Sequence, residues 1–141
     1  MGSIIKVSEA ASLALHTMKI LAAEPGRSVT VSGAAKSLSV SAAHLAKVLQ
    51  RLVHARLVLS ARGPTGGFRL GRPAAEIRLL DVYEAVEGRL VDAECLFGKP
   101  KCAQGQCMFG GLLHGVIGQV RARLEGTTLA DVVRGRDEPP A

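Results

Sequence analysis

The stretch VSGAAKSLSVSAAHLAKVLQRL, residues 31–52, decides the fold. Val31 to Leu38 reads as a short helix with Ser32 as the candidate cap, and Ser39-Val40 makes a tight turn. Ser41 suits the N-cap of a second helix from Ala42 onward, because its hydroxyl can accept a backbone N–H that the first turn leaves without a partner. In that helix Leu45, Val48, Leu49 and Leu52 share one face at helical spacing, while His44, Lys47, Gln50 and Arg51 lie on another. Two short helices joined by a few turn residues, the second amphipathic with a basic outer face, form the helix-turn-helix pattern. An ordinary helical hairpin with a solvated basic face has the same spacing, so the flanking sequence has to choose.

Downstream, Leu57-Val58-Leu59-Ser60-Ala61-Arg62 is a strand-like run, Gly63-Pro64-Thr65-Gly66-Gly67 a turn, and Phe68-Arg69-Leu70 the start of a returning strand. A hairpin directly after the helix pair predicts a winged helix. Arg62 and Arg69 flank its tip with positive charge, which suits a phosphate backbone or a narrow minor groove, although a plain surface hairpin would use the same turn residues. Upstream, Ala11, Leu13, Ala14, Leu15, Met18, Ile20 and Leu21 predict a helix from Ser8 to Ala23 that Glu24-Pro25-Gly26 stops. After Pro73, the apolar positions Ile77, Leu79, Leu80, Val82, Tyr83 and Val86 predict a short strand, then a helix starting near Leu80 or Asp81 and closed by Gly88.

A chain of 141 residues holds one modest core and perhaps one protruding element. Hydrophobic residues make up 48% but aromatics only 3%, without Trp, and Ala, Val and Leu favour packed helices over a β-sandwich. Lys and Arg outnumber Asp and Glu by 18 to 12, a net charge of +6 that suits a polyanionic partner. No run of about 18 apolar residues and no signal-peptide series is present, so a cytoplasmic location is expected. A Gly-Lys-Ser/Thr phosphate loop, a nucleophile elbow, a His-Glu-x-x-His motif and a Cys-x-x-Cys pair are all missing, and Glu84 and Glu87 read as a solvated helix face. An enzyme is therefore not expected.

The three cysteines fall within thirteen residues as Cys95-x6-Cys102-x4-Cys107. An odd, clustered set argues against a disulfide framework. Thiolates are soft ligands for iron–sulfur clusters or zinc, and the glycines around them let a loop bring all three to one centre. The spacing matches neither a zinc ribbon nor the plant-ferredoxin pattern, so cluster, zinc and free thiols stay open on spacing alone. Beyond Gly110-Gly111, Leu112, Leu113, Val116, Ile117, Val120 and Leu124 form one apolar stripe. Such a helix either protrudes to pack on a symmetry mate or folds back on its own core.

These features in this order resemble the IscR, NsrR and CymR family of bacterial regulators, also called the Rrf-two family, over nearly the whole chain. The segments that carry the resemblance are Leu57-Val58 with Ser60-Ala61-Arg62-Gly63-Pro64-Thr65-Gly66-Gly67-Phe68-Arg69-Leu70, Glu76-Ile77-Arg78-Leu79-Leu80-Asp81-Val82 with Ala85-Val86-Glu87-Gly88, the three-cysteine loop, and Thr128-Leu129-Ala130-Asp131-Val132-Val133. The resemblance implies a mainly α fold: a winged helix-turn-helix domain with a small β-hairpin wing, plus a long dimerisation helix. It implies a homodimer on double-stranded DNA, whose palindromic operator has half-sites roughly 34 Å apart. The DNA-contacting residues it implies are Ser41, Ala42, His44, Lys47 and Arg51 in the major groove, with Arg62 and Arg69 at the wing.

By the same resemblance Cys95, Cys102 and Cys107 hold an iron–sulfur cluster, [2Fe-2S] or [4Fe-4S]. Some relatives place a His three residues past the last Cys, where this chain has Gly110, with His114 one helical turn further on. Others take an acidic residue from helix one across the dimer, where the match is Ser12, with Glu9 nearby and His16 one turn on. His114 and Glu9 are therefore the candidates for a fourth ligand. Arg56 stands where relatives often end the recognition helix with glycine, which predicts a differently shaped junction to the wing.

The resulting layout is residues 1–88 as the winged helix-turn-helix DNA-binding domain, 89–110 as a cysteine-containing effector loop, 111–134 as the dimerisation helix and a short C-terminal helix, and 135–141 as a tail. The function read from it is a DNA-binding transcriptional regulator, a repressor, whose operator affinity responds to iron–sulfur status, nitric oxide or redox state. Two alternatives stay open. One is a cluster-free, CymR-like regulator of sulfur metabolism controlled by a partner protein or thiol oxidation. The other is a winged-helix adaptor that binds protein instead of DNA.

Overall fold

Side-chain caps set the helix boundaries. The Ser8 hydroxyl accepts the Ala11 N–H at 3.0 Å and opens α1 (Glu9–Ala23). Thr30 accepts the Gly33 N–H at 3.0 Å and opens α2 (Val31–Leu38). Ser41 accepts the His44 N–H at 3.3 Å and opens α3 (Ala42–His54). The cap of α2 is thus Thr30 and not Ser32. Thr30 still has extended backbone angles, whereas Val31 is already helical, so Ser32 falls inside the first turn. The computed structural model describes residues 7–61, 66–91 and 107–135, and its remaining elements are β1 (Val58–Ala61), β2 (Gly67–Leu70), a 3-10 turn (Ala74–Glu76), α4 (Leu79–Glu87), α5 (Leu112–Gly126) and α6 (Leu129–Val133).

The core lies where α3 meets α1, α4 and the foot of the wing. Leu45, Leu49 and Leu52 of α3, Met18 and Leu21 of α1, and Leu57, Val58, Ile77, Val82 and Leu129 are all buried there. Burying each such side chain contributes roughly 1.5–3 kcal/mol. Ala11 and Ala14 are fully buried on α1, and such small side chains permit the close packing of α4 on that helix. The Ser8 hydroxyl also donates to the Glu87 carboxylate, joining the start of α1 to the end of α4.

β1 and β2 form the antiparallel hairpin that the turn residues predict, with Val58 opposite Leu70 and Ala61 opposite Gly67. Val29 adds a bridge to it, exchanging two 2.8 Å backbone hydrogen bonds with Phe68. This connection between the segment before α2 and the wing was not predicted. Gly67 makes it possible, because a Cβ there would sit 2.6 Å from the Val29 carbonyl oxygen.

The short strand predicted before α4 is instead the 3-10 turn followed by a single bridge between Arg78 and Thr128. Pro73 leads into the turn, and Arg78 is already the cap of α4, so only Ile77 and Arg78 are left extended between them. Leu79 N–H donates to Thr127 and Leu129 N–H to Ile77, both at 2.9 Å, which fastens α6 beside the start of α4. Each of these helices begins with a carboxylate that accepts a backbone N–H. Asp81 takes that of Arg78 at 2.9 Å, and Asp131 takes that of Thr128 at 3.0 Å.

Arg56 adopts the left-handed conformation that glycine would supply, with φ +61. Its N–H donates to Val53, and the Leu57 N–H donates to Leu52, which closes α3 with the αL turn common at helix ends. The expectation of a differently shaped junction is therefore overturned: arginine makes the same turn and bears the backbone cost.

No residue of α5 is buried. Leu113, Val116, Ile117, Val120 and Leu124 are half-buried, Leu112 is 58% exposed, and Met108 just ahead of the helix is 92% exposed. Among the described residues, the apolar stripe does not fold back into the core.

Two stability predictions follow. Arg56→Gly relieves an unfavourable left-handed residue and should stabilise the fold by about 1 kcal/mol, raising Tm by roughly 3 °C in thermal unfolding. An unchanged or lowered Tm would show that Arg56 bears no strain. Asp81→Asn should cost about 1 kcal/mol at neutral pH through the weakened cap. The hydrogen bond from the Arg78 side chain holds the Asp81 carboxyl below the usual carboxylate range. Its stabilisation is therefore present above the ordinary carboxylate pKa and lost as pH falls through the depressed value. Denaturant midpoints of wild type and variant should converge only in acid, and a gap independent of pH would contradict this.

Candidate nucleic-acid interface

The buried face of α3 dictates what its opposite face presents. Leu45, Val48, Leu49 and Leu52 are buried, and at roughly 100° per residue the positions facing away from them are Ala43, Lys47, Gln50 and His54. All four are exposed. Ala42, at the first turn, is exposed as well, and Ser41 is exposed but has its hydroxyl engaged as the cap. His44 lies on the flank and is half-buried. Sequence reading did not single out Ala43 and His54. Opposition to the leucine and valine positions was the signal that identifies them.

Arg51 is placed differently from Lys47. Its guanidinium Nη1 donates to the Val86 carbonyl at 3.0 Å, clasping α3 to the last turn of α4. Beyond that turn, Gly88 N–H donates to the Glu84 carbonyl at 3.0 Å, and Leu90 N–H to the Glu84 carboxylate at 2.8 Å. The Leu90 carbonyl in turn accepts Arg121 of α5 at 2.5 Å. The chain leaving α4 is thus tied on one side to α3 and on the other to α5.

At the wing, Arg69 is exposed on β2, directly opposite Leu59, while Arg62 lies outside the described residues. The electrostatics of this half are one-sided. Between Glu24 and Glu76 the sequence has no acidic residue, yet it carries Arg27, Lys36, Lys47, Arg51, Arg56, Arg62, Arg69 and Arg72. Of these, Arg27 is paired with Glu24 at 2.5 Å. Such an acid-free block spanning α2, α3 and the hairpin attracts a polyanion and repels a basic surface.

Of the predicted ligand set, Cys95 and Cys102 lie outside the described residues. Cys107 is half-buried with a free thiol, and its carbonyl accepts the Gly110 N–H at 3.1 Å in the turn that leads to α5. His114 is exposed in the first turn of α5. That helix begins at Leu112 and not at Met108, so helical spacing does not align His114 with Cys107. Glu9 is exposed at the start of α1 and lines a shallow groove of about 250 Å³ with Ser12, Leu13, His16, Leu38 and Val40. The His16 ring donates from Nδ1 to the Ser12 carbonyl at 2.7 Å. Among the described residues, no three His, Cys, Asp or Glu side chains gather as a ligand cluster. No described helix is long and apolar enough to cross a membrane.

Residues 7–135 match the family model described as "Rrf2: Iron-dependent Transcriptional regulator". The chain is 31% identical over 136 residues to Protein aau3 of Rhizobium meliloti, covering 95% of this chain and 88% of that one. It is 36% identical over 96 residues to the HTH-type transcriptional regulator IscR of Photobacterium profundum, covering 67% of this chain and 55% of that one, so it spans about half the length of that relative. The structure of CymR, the global cysteine regulator of B. subtilis, superposes with a TM-score of 0.77 over 95% of this chain and 100% of that chain, at 24% identity, a likeness of fold. With a helix pair, a hairpin wing and a family match across nearly its whole length, the chain belongs to the Rrf2 family of transcriptional regulators.

Proposed function

We propose that this chain binds double-stranded DNA at a palindromic operator as a homodimer, acts there as a repressor, and has its operator affinity controlled by an iron–sulfur cluster on Cys95, Cys102 and Cys107. The observation that carries the DNA reading is the acid-free block around α3, whose outward face is exposed and basic while its inward face is buried. In this reading α3 enters the major groove with Ser41, Ala42, His44 and Lys47 near the DNA, and the wing brings Arg62 to the minor groove with Arg69 beside it. Arg51 holds α3 in place against α4. The uncovered stripe of α5 supports a second copy of the chain as its partner.

The donor set fits the proposed cluster in chemistry, being three soft thiolates, one of them half-buried in the turn before α5. When bound, such a cluster supplies a redox-active, nitric-oxide-sensitive centre. The chain's own residues supply the link to DNA. Glu84 and Arg121 grip Leu90, just ahead of the cysteine segment, and Arg51 ties the same end of α4 to α3. A constraint on that segment therefore acts on the seating of α3. A coupling of about 1–3 kcal/mol would change operator affinity by about 5- to 150-fold. The likeness in fold to CymR favours a second reading, in which the thiols themselves or a partner protein take the control role.

Two experiments test these proposals. In a salt titration with operator duplex, the slope of log K against log salt should be about −0.9 per phosphate contact, and Lys47→Ala should make it shallower by about one. Arg51→Ala should leave the slope unchanged and lower Tm instead, since it removes a clasp and not a phosphate contact. Binding that ignores DNA sequence at every salt concentration would leave the adaptor as the better account. Second, protein purified without oxygen should be coloured and contain iron, and both should be lost in Cys102→Ala and Cys107→Ala. A colourless, iron-free wild type would remove the cluster and leave the thiol-controlled regulator.

A further inference from the structure

We infer that Gln50 is the base-reading side chain of α3, so that each operator half-site presents an adenine to it and not a guanine to the neighbouring Arg51. This rests on the operator-binding reading above and deepens it by naming the base. By sequence alone the two residues compete. Arginine makes the commonest specific major-groove contact, a bidentate pair with guanine, whereas glutamine pairs with the N6 and N7 edge of adenine.

The structure separates them. Arg51 spends an N–H on the Val86 carbonyl at 3.0 Å, on the side of α3 that meets α4. Both side chains are exposed, but Gln50 lies opposite the buried leucines, in line with Ala43, Lys47 and His54, whereas Arg51 is turned toward α4. Its amide carries a donor and an acceptor on one rigid plane, which is what the adenine edge requires. Lys47, a flexible point charge, is better matched to a phosphate. Ala43, two turns before Gln50 on the same face, and Ala46, one turn before it, are small. With Ala43 exposed on that face and Ala46 on its flank, no bulky neighbour one or two turns before Gln50 would hold α3 away from a groove floor.

The test is selection of duplexes from a random library by the full-length protein, followed by competition measurements on the selected sequence. Wild type should enrich a half-site with one A·T pair whose replacement by G·C weakens binding by about 5- to 150-fold. Replacing that adenine by 7-deazaadenine, which lacks only the N7 acceptor, should reproduce part of the loss. In Gln50→Ala both penalties should vanish, while Arg51→Ala keeps the same base preference. Circular dichroism checks that each variant is folded, and Gln50→Glu, which lacks the amide donor and keeps the length, should lose the adenine preference as well. An unchanged preference in Gln50→Ala, or its loss in Arg51→Ala, overturns this inference and leaves operator binding intact. Failure of wild type to enrich any duplex overturns both.

Discussion

The architecture depends on the burial of one face of α3. Leu45, Val48, Leu49 and Leu52 are locked into the core between α1, α4 and the foot of the wing. Since a helix is rigid, this leaves no freedom over which side chains face outward. The rotation of the helix about its own axis, and hence the identity of every residue it offers to a partner, is set by the hydrophobic effect on the far side. The outward face carries no acid, and neither does the chain on either side of it from Glu24 to Glu76. Shape and charge therefore coincide on one surface.

A second layer of constraint is polar and concerns how the parts are held relative to one another. Val29 stitches the approach to α2 onto the wing through Phe68, and Arg51 clasps α3 to α4. Backbone hydrogen bonds from Leu79 to Thr127 and from Leu129 to Ile77 join the starts of α4 and α6, flanking the Arg78–Thr128 bridge. Hydrogen bonds of this kind each contribute on the order of 1 kcal/mol, far less than the core they border, but they are directional. They specify orientation where apolar packing alone would tolerate sliding. The clasp at Val86 and the grip on Leu90 lie within a few residues of each other, so α3 and the entrance to the cysteine segment share one mechanical anchor.

α5 follows a different logic. Its apolar residues repeat at helical spacing, yet none is buried, and Met108 and Leu112 are largely exposed at its start. Five of its apolar side chains are only half-buried in a single copy, so the stripe keeps apolar surface in water.

The main elements were readable from the sequence because their signals are local. The Ser41 cap, the Pro25-Gly26 stop, the glycine-rich turn of the wing and the leucine repeat of α3 each act through neighbours a few residues away. The reading failed at local boundaries, where neighbouring residues compete for one role, and where the deciding partner is distant in the chain. Ser32 lost the cap to Thr30 by a shift of two residues, and the strand before α4 shrank to one bridge because its partner, Thr128, lies fifty residues on. Arg56 was expected to reshape the junction, but the hydrogen bonds from the Arg56 and Leu57 amides hold it in the left-handed turn regardless. Arg51 and Lys47 look equivalent as letters, and only the carbonyl of Val86, brought alongside by packing, separates a clasp from a free cation. The sequence by itself determined the winged-helix class, the positive charge of its reading half and the sulfur ligands it could offer. Tertiary structure alone decided how α3 is anchored, because the Val86 carbonyl that takes Arg51 is brought alongside by packing of distant segments, which no local pattern encodes.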